Sequence, residues 1–171
     1  MYMATYILIA VNCILFAVQN LIPNFTGAFW KNNVAIAQGE WYRLVTSNYL
    51  HGDIFHLLFN MYSLYQLGLF VFPAFGVVNF ALIYTIGGIS GSLLSYFFSP
   101  ANSLGASGAI FALMGAVLAY YIKNGINPSA LIPIIALNLI YGFLPNTGID
   151  NYGHIGGLGA GIILGMALSS K

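Results

Sequence analysis

Six long apolar stretches divide the chain, at approximately 4–22, 54–72, 76–98, 104–121, 129–145 and 153–168. A helix needs about 20 mostly apolar residues to cross a bilayer, somewhat fewer where the bilayer is thinned. Each stretch meets that requirement, and no soluble domain is left over between them. The charge count points the same way. Four Lys/Arg and three Asp/Glu make up 4% of the 171 residues, whereas a soluble domain carries roughly 25%. So few charges cannot hold a globule of this size in water, so lipid is the expected solvent for most of its surface. An all-α, polytopic bundle of six transmembrane helices, one membrane domain over 1–171, is the predicted fold.

Other classes fail on the same grounds. Disordered chains are poor in apolar residues and rich in charge, the reverse of this one. A net charge of +1 offers no electrostatic footprint for nucleic acid. Cys13 is the single cysteine, so no intrachain disulfide can form. Barrel strands read as short alternating segments, unlike the unbroken run from Phe75 to Phe98. Turn-forming residues fall between the runs: Pro73, Ser99-Pro100, Asn127-Pro128 and Pro145-Asn146. The first span lacks a basic leader and a small-residue cleavage site, and is expected to be retained.

The longest polar segment, about 23–53, holds Lys31, Glu40, Arg43 and Asp53 together with Trp30, Trp41, Tyr42 and Tyr49. That mixture suits a segment at headgroup level. Lys123 and Lys171 fall on one side of a six-span bundle, Lys31 and Arg43 on the other. Two cations against two leave orientation unassigned by the positive-inside rule.

Parity is more informative. Spans 2, 4 and 6 run in one direction, so their N-terminal ends share a membrane face. At those ends lie His51, His56 and Asn60, then Ser107, then His154, a set that includes all three histidines of the chain. Ser107, in Gly105-Ala106-Ser107-Gly108, has the open surroundings that an acyl-forming nucleophile needs at a sharp loop-to-helix turn. It reads also as a helix N-cap serine. His154 opens span 6, where Gly153, Gly157, Gly161 and Gly165 recur every four residues. Such a stripe lets two membrane helices touch closely, and span 4 offers Gly108, Ala112, Gly115, Ala116 and Ala119 to match it. Packed together, the stripes bring His154 to Ser107 as a general base. An interfacial histidine without chemistry is the alternative.

His56 and Asn60, at i and i+4, share one face of span 2. They suit a developing oxyanion, together with backbone N–H groups at the start of span 4, or else they make ordinary interhelical hydrogen bonds. From Ser107 to Tyr121 is roughly 21 Å of helix, which places Ser107 below the surface of a core about 30 Å thick. No acidic residue lies inside a span, which argues against an aspartyl pair. No H-E-x-x-H is present for zinc, so no metal site is predicted.

These residues resemble the rhomboid intramembrane serine proteases in their minimal six-helix bacterial form. The carriers are Tyr42-Arg43, the run His51, His56 and Asn60, the G-x-S-G of Gly105, Ser107 and Gly108, and the His-led glycine stripe. The resemblance implies Ser107 as nucleophile and His154 as base, a dyad without a third acid. It implies oxyanion and substrate contacts from His56, Asn60, Gly105 and the Ser107 N–H. Supporting roles fall to His51, Arg43, Phe111, Gly157 and Gly161. It implies transmembrane protein substrates entering from the lipid bilayer, no cofactor, no nucleic-acid partner, and a bacterial inner membrane with the site on the extracytoplasmic side. Oligomeric state is left open. Two positions depart from the usual pattern: Tyr42-Arg43 stands where Trp-Arg is common, with Trp41 one place earlier, and Phe111 stands where Tyr is frequent. One rival is an inactive rhomboid-like protein that binds membrane clients, whose mark would be loss of Ser or His; another is a small transporter or channel that uses the same polar cluster as a pathway.

Overall fold

The structure, a computed structural model, describes residues 2–144 and 147–169. Pro145 and Asn146, expected at the end of span 5 and the start of the next loop, and Lys171, one of the counted cations, lie outside the described residues. In chain order the helices are α1 (Met3–Leu21), α2 (Phe25–Phe29), α3 (Asn33–Ala37), α4 (Arg43–Thr46), α5 (Ile54–Phe98), α6 (Ser107–Lys123), α7 (Leu131–Gly142) and α8 (Asn151–Leu168), with a 3₁₀ turn at Ser47–Tyr49. Among the described residues there is no strand, only a single antiparallel bridge between Lys31 and Ser103.

The helices follow the apolar runs, with boundaries set by local chemistry. Asp53 caps α5 by accepting from the His56 N–H at 2.9 Å, and Asp150 caps α8 by accepting from the Gly153 N–H at 3.1 Å. The sequence places a break at Pro73, but the helix runs through it. The break in backbone geometry comes at Gly76, with φ +76° and ψ 171°. A proline in the last turn removes only one helical hydrogen bond, whereas this positive φ turns the chain and glycine adopts it at little cost. Ser107, expected a few residues inside span 4, is the first residue of α6, because 104–106 remain in the preceding loop.

Two described helices, α1 and α5, are long and apolar enough to cross a membrane; α6 and α7 are apolar and shorter. Large apolar side chains point outward on all sides, among them Phe59, Val78, Leu137 and Ile163. An apolar exterior this extensive marks a surface that meets something other than water. Inside, Leu64, Val71, Phe80 and Ile83 of α5 pack with Ala109, Leu113 and Ala116 of α6, with α1 against their flank.

The tightest junction is between α6 and α8. A Cβ at Gly157 would sit 2.0 Å from the Gly108 carbonyl oxygen, and one at Gly161 would sit 2.0 Å from that of Ala112. Backbone therefore lies directly on backbone, as small-residue stripes allow. Helix α7 is peripheral by contrast: within it only Ile135 and Gly142 are buried.

Segment 23–53 is folded over the end of the bundle that carries Ser107. Arg43 is its organiser, nearly buried, donating to Gly27 O at 2.9 Å and Trp30 O at 3.0 Å and pairing with Glu40 at 2.7 Å.

Candidate active site

The chain reaches Ser107 through a constrained turn. Gly105 has φ +133°, and a Cβ there would meet the His56 ring at 2.8 Å. Only glycine satisfies both the dihedral and the contact. Its N–H donates to Ser47 O at 2.9 Å, fixing the turn to segment 23–53. Ser107 then opens α6, where the first N–H groups of a helix have no intrahelical acceptor and remain free to bind an anion.

Facing Ser107 is His154, in the first turn of α8. Its Nε2 lies 2.9 Å from the Ser107 Oγ, a hydrogen-bond distance across 47 residues of sequence. The ring is 8% exposed and lies flat on Phe111, one turn after Ser107, with centroids 4.2 Å apart and planes 14° apart. The other ring nitrogen, Nδ1, has no hydrogen-bond partner among the described residues. A serine held by an imidazole in this way can lose its proton to Nε2 as it attacks a carbonyl.

On the other side of the Gly105 turn stand His56 and Asn60. The Gly52 N–H approaches His56 Nδ1 at 3.4 Å, which leaves the proton of a neutral ring on Nε2, at the edge facing Gly105. The Asn60 amide nitrogen is buried without an acceptor and lies on the same side of Gly105. Two donors thus converge beside the Ser107 turn, with no acceptor for the amide among the described residues. A cavity of about 30 Å³ adjoins Ser107, lined also by Ser47, Asn48, Ser92, Ser103 and Gly153.

His51 is fully buried, packed edge-on against His56 with ring centroids 5.1 Å apart. Burial pushes its imidazole down to about 3, with His56 lowering it further and Asp53 opposing. Sequence reasoning missed the residue that holds it. Gln19, at the end of α1, grips the His51 backbone twice, donating to its carbonyl at 2.6 Å and accepting from its N–H at 3.1 Å. A glutamine at the edge of an apolar run was the available signal. Asp150 is the N-cap of α8, and an Asp just before an apolar run is a helix-start signal in the sequence. Gly157 and Gly161 lie in the α6–α8 seam against the backbone of Gly108 and Ala112, and the bonds of Arg43 stay within segment 23–53. Among the described residues no three His, Cys, Asp or Glu side chains come together.

A Rhomboid domain matches residues 38–171. The chain belongs to the rhomboid family. Rhomboids are integral membrane proteins, in keeping with the apolar exterior. The chain is 42% identical over 178 residues to Rhomboid protease GluP of Bacillus subtilis, covering 96% of this chain and 34% of that protein. It is 41% identical to RHOMBOID-like protein 4 of Arabidopsis thaliana, covering 75% of this chain and 34% of the relative. Inactive RHOMBOID-like protein 8 of the same plant is 37% identical, over 80% of this chain and 40% of its own length. The rhomboid chain thus spans between about a third and two fifths of these three relatives. The family includes serine proteases and a member named inactive, so membership alone leaves the chemistry to the site.

Proposed function

We propose that this rhomboid is an intramembrane serine endopeptidase that cleaves transmembrane segments of other membrane proteins. The observation that carries the reading is the 2.9 Å approach of His154 Nε2 to Ser107 Oγ. Ser107 attacks the scissile carbonyl while His154 Nε2 takes its proton. His154 returns that proton to the leaving amine as the C–N bond breaks and the acyl-enzyme forms. Water, deprotonated by the same nitrogen, then releases the acid and regenerates Ser107. The oxyanion is met by His56 Nε2–H, the Asn60 amide and the Ser107 N–H. His51, Arg43, Phe111, Gly157 and Gly161 support this set without touching the reacting atoms.

The bundle crosses the membrane six times as one rhomboid domain over 1–171, with α5 counting twice because of its break at Gly76. The protein resides in a bacterial inner membrane, with the dyad toward the extracytoplasmic side. Substrates are transmembrane helices that unwind locally before cleavage, which favours Gly, Pro and other weak helix formers near the cut. They enter laterally from lipid past α7 and the loop after it, because the α6–α8 seam cannot open without separating the dyad.

Labelling of the purified, detergent-solubilised protein with a fluorophosphonate tests the reading. Wild type is expected to label, and Ser107→Ala and His154→Ala are expected not to. A wild type that stays unlabelled beside a labelling rhomboid control would overturn it in favour of an inactive, client-binding rhomboid.

A further inference from the structure

Lys31 carries one of the few charges of the chain and is fully buried, 0% exposed. It lies before the stretch that the Rhomboid domain matches, residues 38–171. A buried cation needs partners, and its ammonium finds four. It donates to the Ser95 carbonyl at 3.3 Å, the Ser99 carbonyl at 3.1 Å, the Ala101 carbonyl at 2.8 Å and the Ser95 hydroxyl at 2.9 Å. Carbonyls at the end of α5 are the negative pole of that helix and a natural seat for a cation.

The Ser95 hydroxyl that accepts from Lys31 donates in turn to Asp150 Oδ2. Asp150 Oδ1 accepts from the Gly153 N–H at 3.1 Å, and the Asp150 carbonyl accepts from the His154 N–H at 3.1 Å. A chain of hydrogen bonds therefore runs from Lys31 to the Gly153 N–H, and the backbone of the same Asp150 holds the His154 N–H. The backbone of Lys31 acts on the other partner. Its N–H donates to Ser103 O at 2.9 Å, and its carbonyl accepts from the Ser103 N–H at 3.2 Å, within the loop that delivers Ser107. One residue thus holds both the loop before the serine and the cap of the helix that bears the histidine.

We propose that Lys31 is a positioning residue for the Ser107–His154 pair, acting through Ser95 and Asp150 on the first turn of α8. The role rests on the protease reading only for its kinetic expression, since the placement of α8 is a structural property. The network is charged at both ends and bridged by one hydroxyl, so its members act as a unit. Removing Lys31 alone leaves the Asp150 carboxylate without its cation, and removing both charges relieves that.

The test measures fluorophosphonate labelling of the full chain at several probe concentrations, separating the maximal rate from the half-saturating concentration. Hydrogen exchange of the first α8 turn is followed in the same samples. Misplacement by a fraction of an ångström to an ångström costs on the order of ten- to a hundredfold in rate. Lys31→Met and Ser95→Ala are therefore expected to lower the maximal rate about tenfold at an unchanged half-saturating concentration. Gly153 and His154 amides are expected to exchange faster, and Lys31→Met/Asp150→Asn to be no slower than Lys31→Met alone. Wild-type rates in Lys31→Met and Ser95→Ala, losses that multiply in the double variant, or unchanged exchange would each overturn the proposal. Ser95→Ala, which removes only the bridging hydroxyl, carries the test if Lys31→Met does not fold. If wild type itself fails to label, the protease reading falls, and the exchange measurement alone decides the positioning role.

Discussion

Phe111 lies under His154 like a tray, its ring 4.2 Å from the imidazole and tilted only 14° from it. The two residues sit on the two helices whose backbones touch, so the ring stack and the seam fix the imidazole from beneath and from behind. Among the described residues the Nδ1 edge has no hydrogen-bond partner, so on that side packing orients the ring. Stacked rings contribute about 0.5–1.5 kcal/mol beyond their burial. Phe111→Leu is accordingly expected to slow labelling about two- to tenfold, while Phe111→Tyr keeps the wild-type rate. Equal rates for Leu and Phe would remove the ring from the account.

Gly157 and Gly161 admit no side chain without parting α6 from α8, since a Cβ at either meets a carbonyl oxygen at 2.0 Å. Alanine at either position is expected to destabilise the bundle by about 1–3 kcal/mol, the usual cost of overpacking, and to abolish labelling. Gly159, whose Cβ would meet nothing within 4 Å, is the internal control. Gly159→Ala should match or exceed wild type in thermal midpoint, because glycine in a helix interior is unfavourable by about 1 kcal/mol.

Asn60 separates stability from rate. Its amide nitrogen is buried and donates to nothing among the described residues. Asn60→Ala should therefore leave the thermal midpoint unchanged or raised. Loss of an oxyanion donor lowers turnover by roughly 10²-fold, and cleavage of a transmembrane substrate is the measurement that registers it. A large drop in midpoint with normal turnover per folded molecule would count against the assignment.

His51 predicts an acid sensitivity. In the folded protein it gains a proton only near pH 3, whereas an unfolded histidine does so near 6.5. Between those values the unfolded chain binds the extra proton. Stability is thus complete above about pH 6.5 and falls as pH drops through that window, by about 1.4 kcal/mol per unit for one proton. Thermal midpoints of wild type and His51→Gln at pH 7.5 and pH 5 provide the check. The variant should show the shallower decline, and parallel declines would exclude His51 as the source.

Entry past α7 makes a prediction that leaves the dyad untouched. Phe143 and Leu144, just beyond its end, are 61% and 52% exposed and contribute bulk at the expected portal. Phe143→Ala and Leu144→Ala should speed cleavage of a transmembrane substrate by about threefold if lid opening limits turnover. Fluorophosphonate labelling, which needs no lateral entry, should stay at the wild-type rate. Unchanged or slower cleavage across both variants would place the portal elsewhere.

The parts of the site that could be read from sequence are those whose chemistry is local. Ser107 sits in a short glycine-flanked motif, and the glycine spacing of α8 carries its own geometric meaning. The small-residue pattern alone implies which helices touch, and so which side chains meet. Lys31 was legible only as a unit of charge in a loop, because its four acceptors lie on residues 95, 99 and 101, more than sixty positions away. Gln19 was illegible for the same reason, since its partner is the backbone of His51 and backbone acceptors leave no trace in composition. The sequence points to Pro73 for the break in α5, which lies at Gly76, because proline announces itself in any sequence. A glycine turns the chain only where its surroundings demand a positive φ.

The α6–α8 seam also divides the molecule by what can be redesigned. Where main chain rests on main chain, no library of side chains offers an intermediate between glycine and failure, so that flank is closed to directed evolution. Side-chain variation that the fold tolerates must be sought on α5, α7 and the rim of segment 23–53. A programme to redesign this rhomboid can treat the serine–histidine half as a fixed cartridge and confine its mutations to the opposite wall.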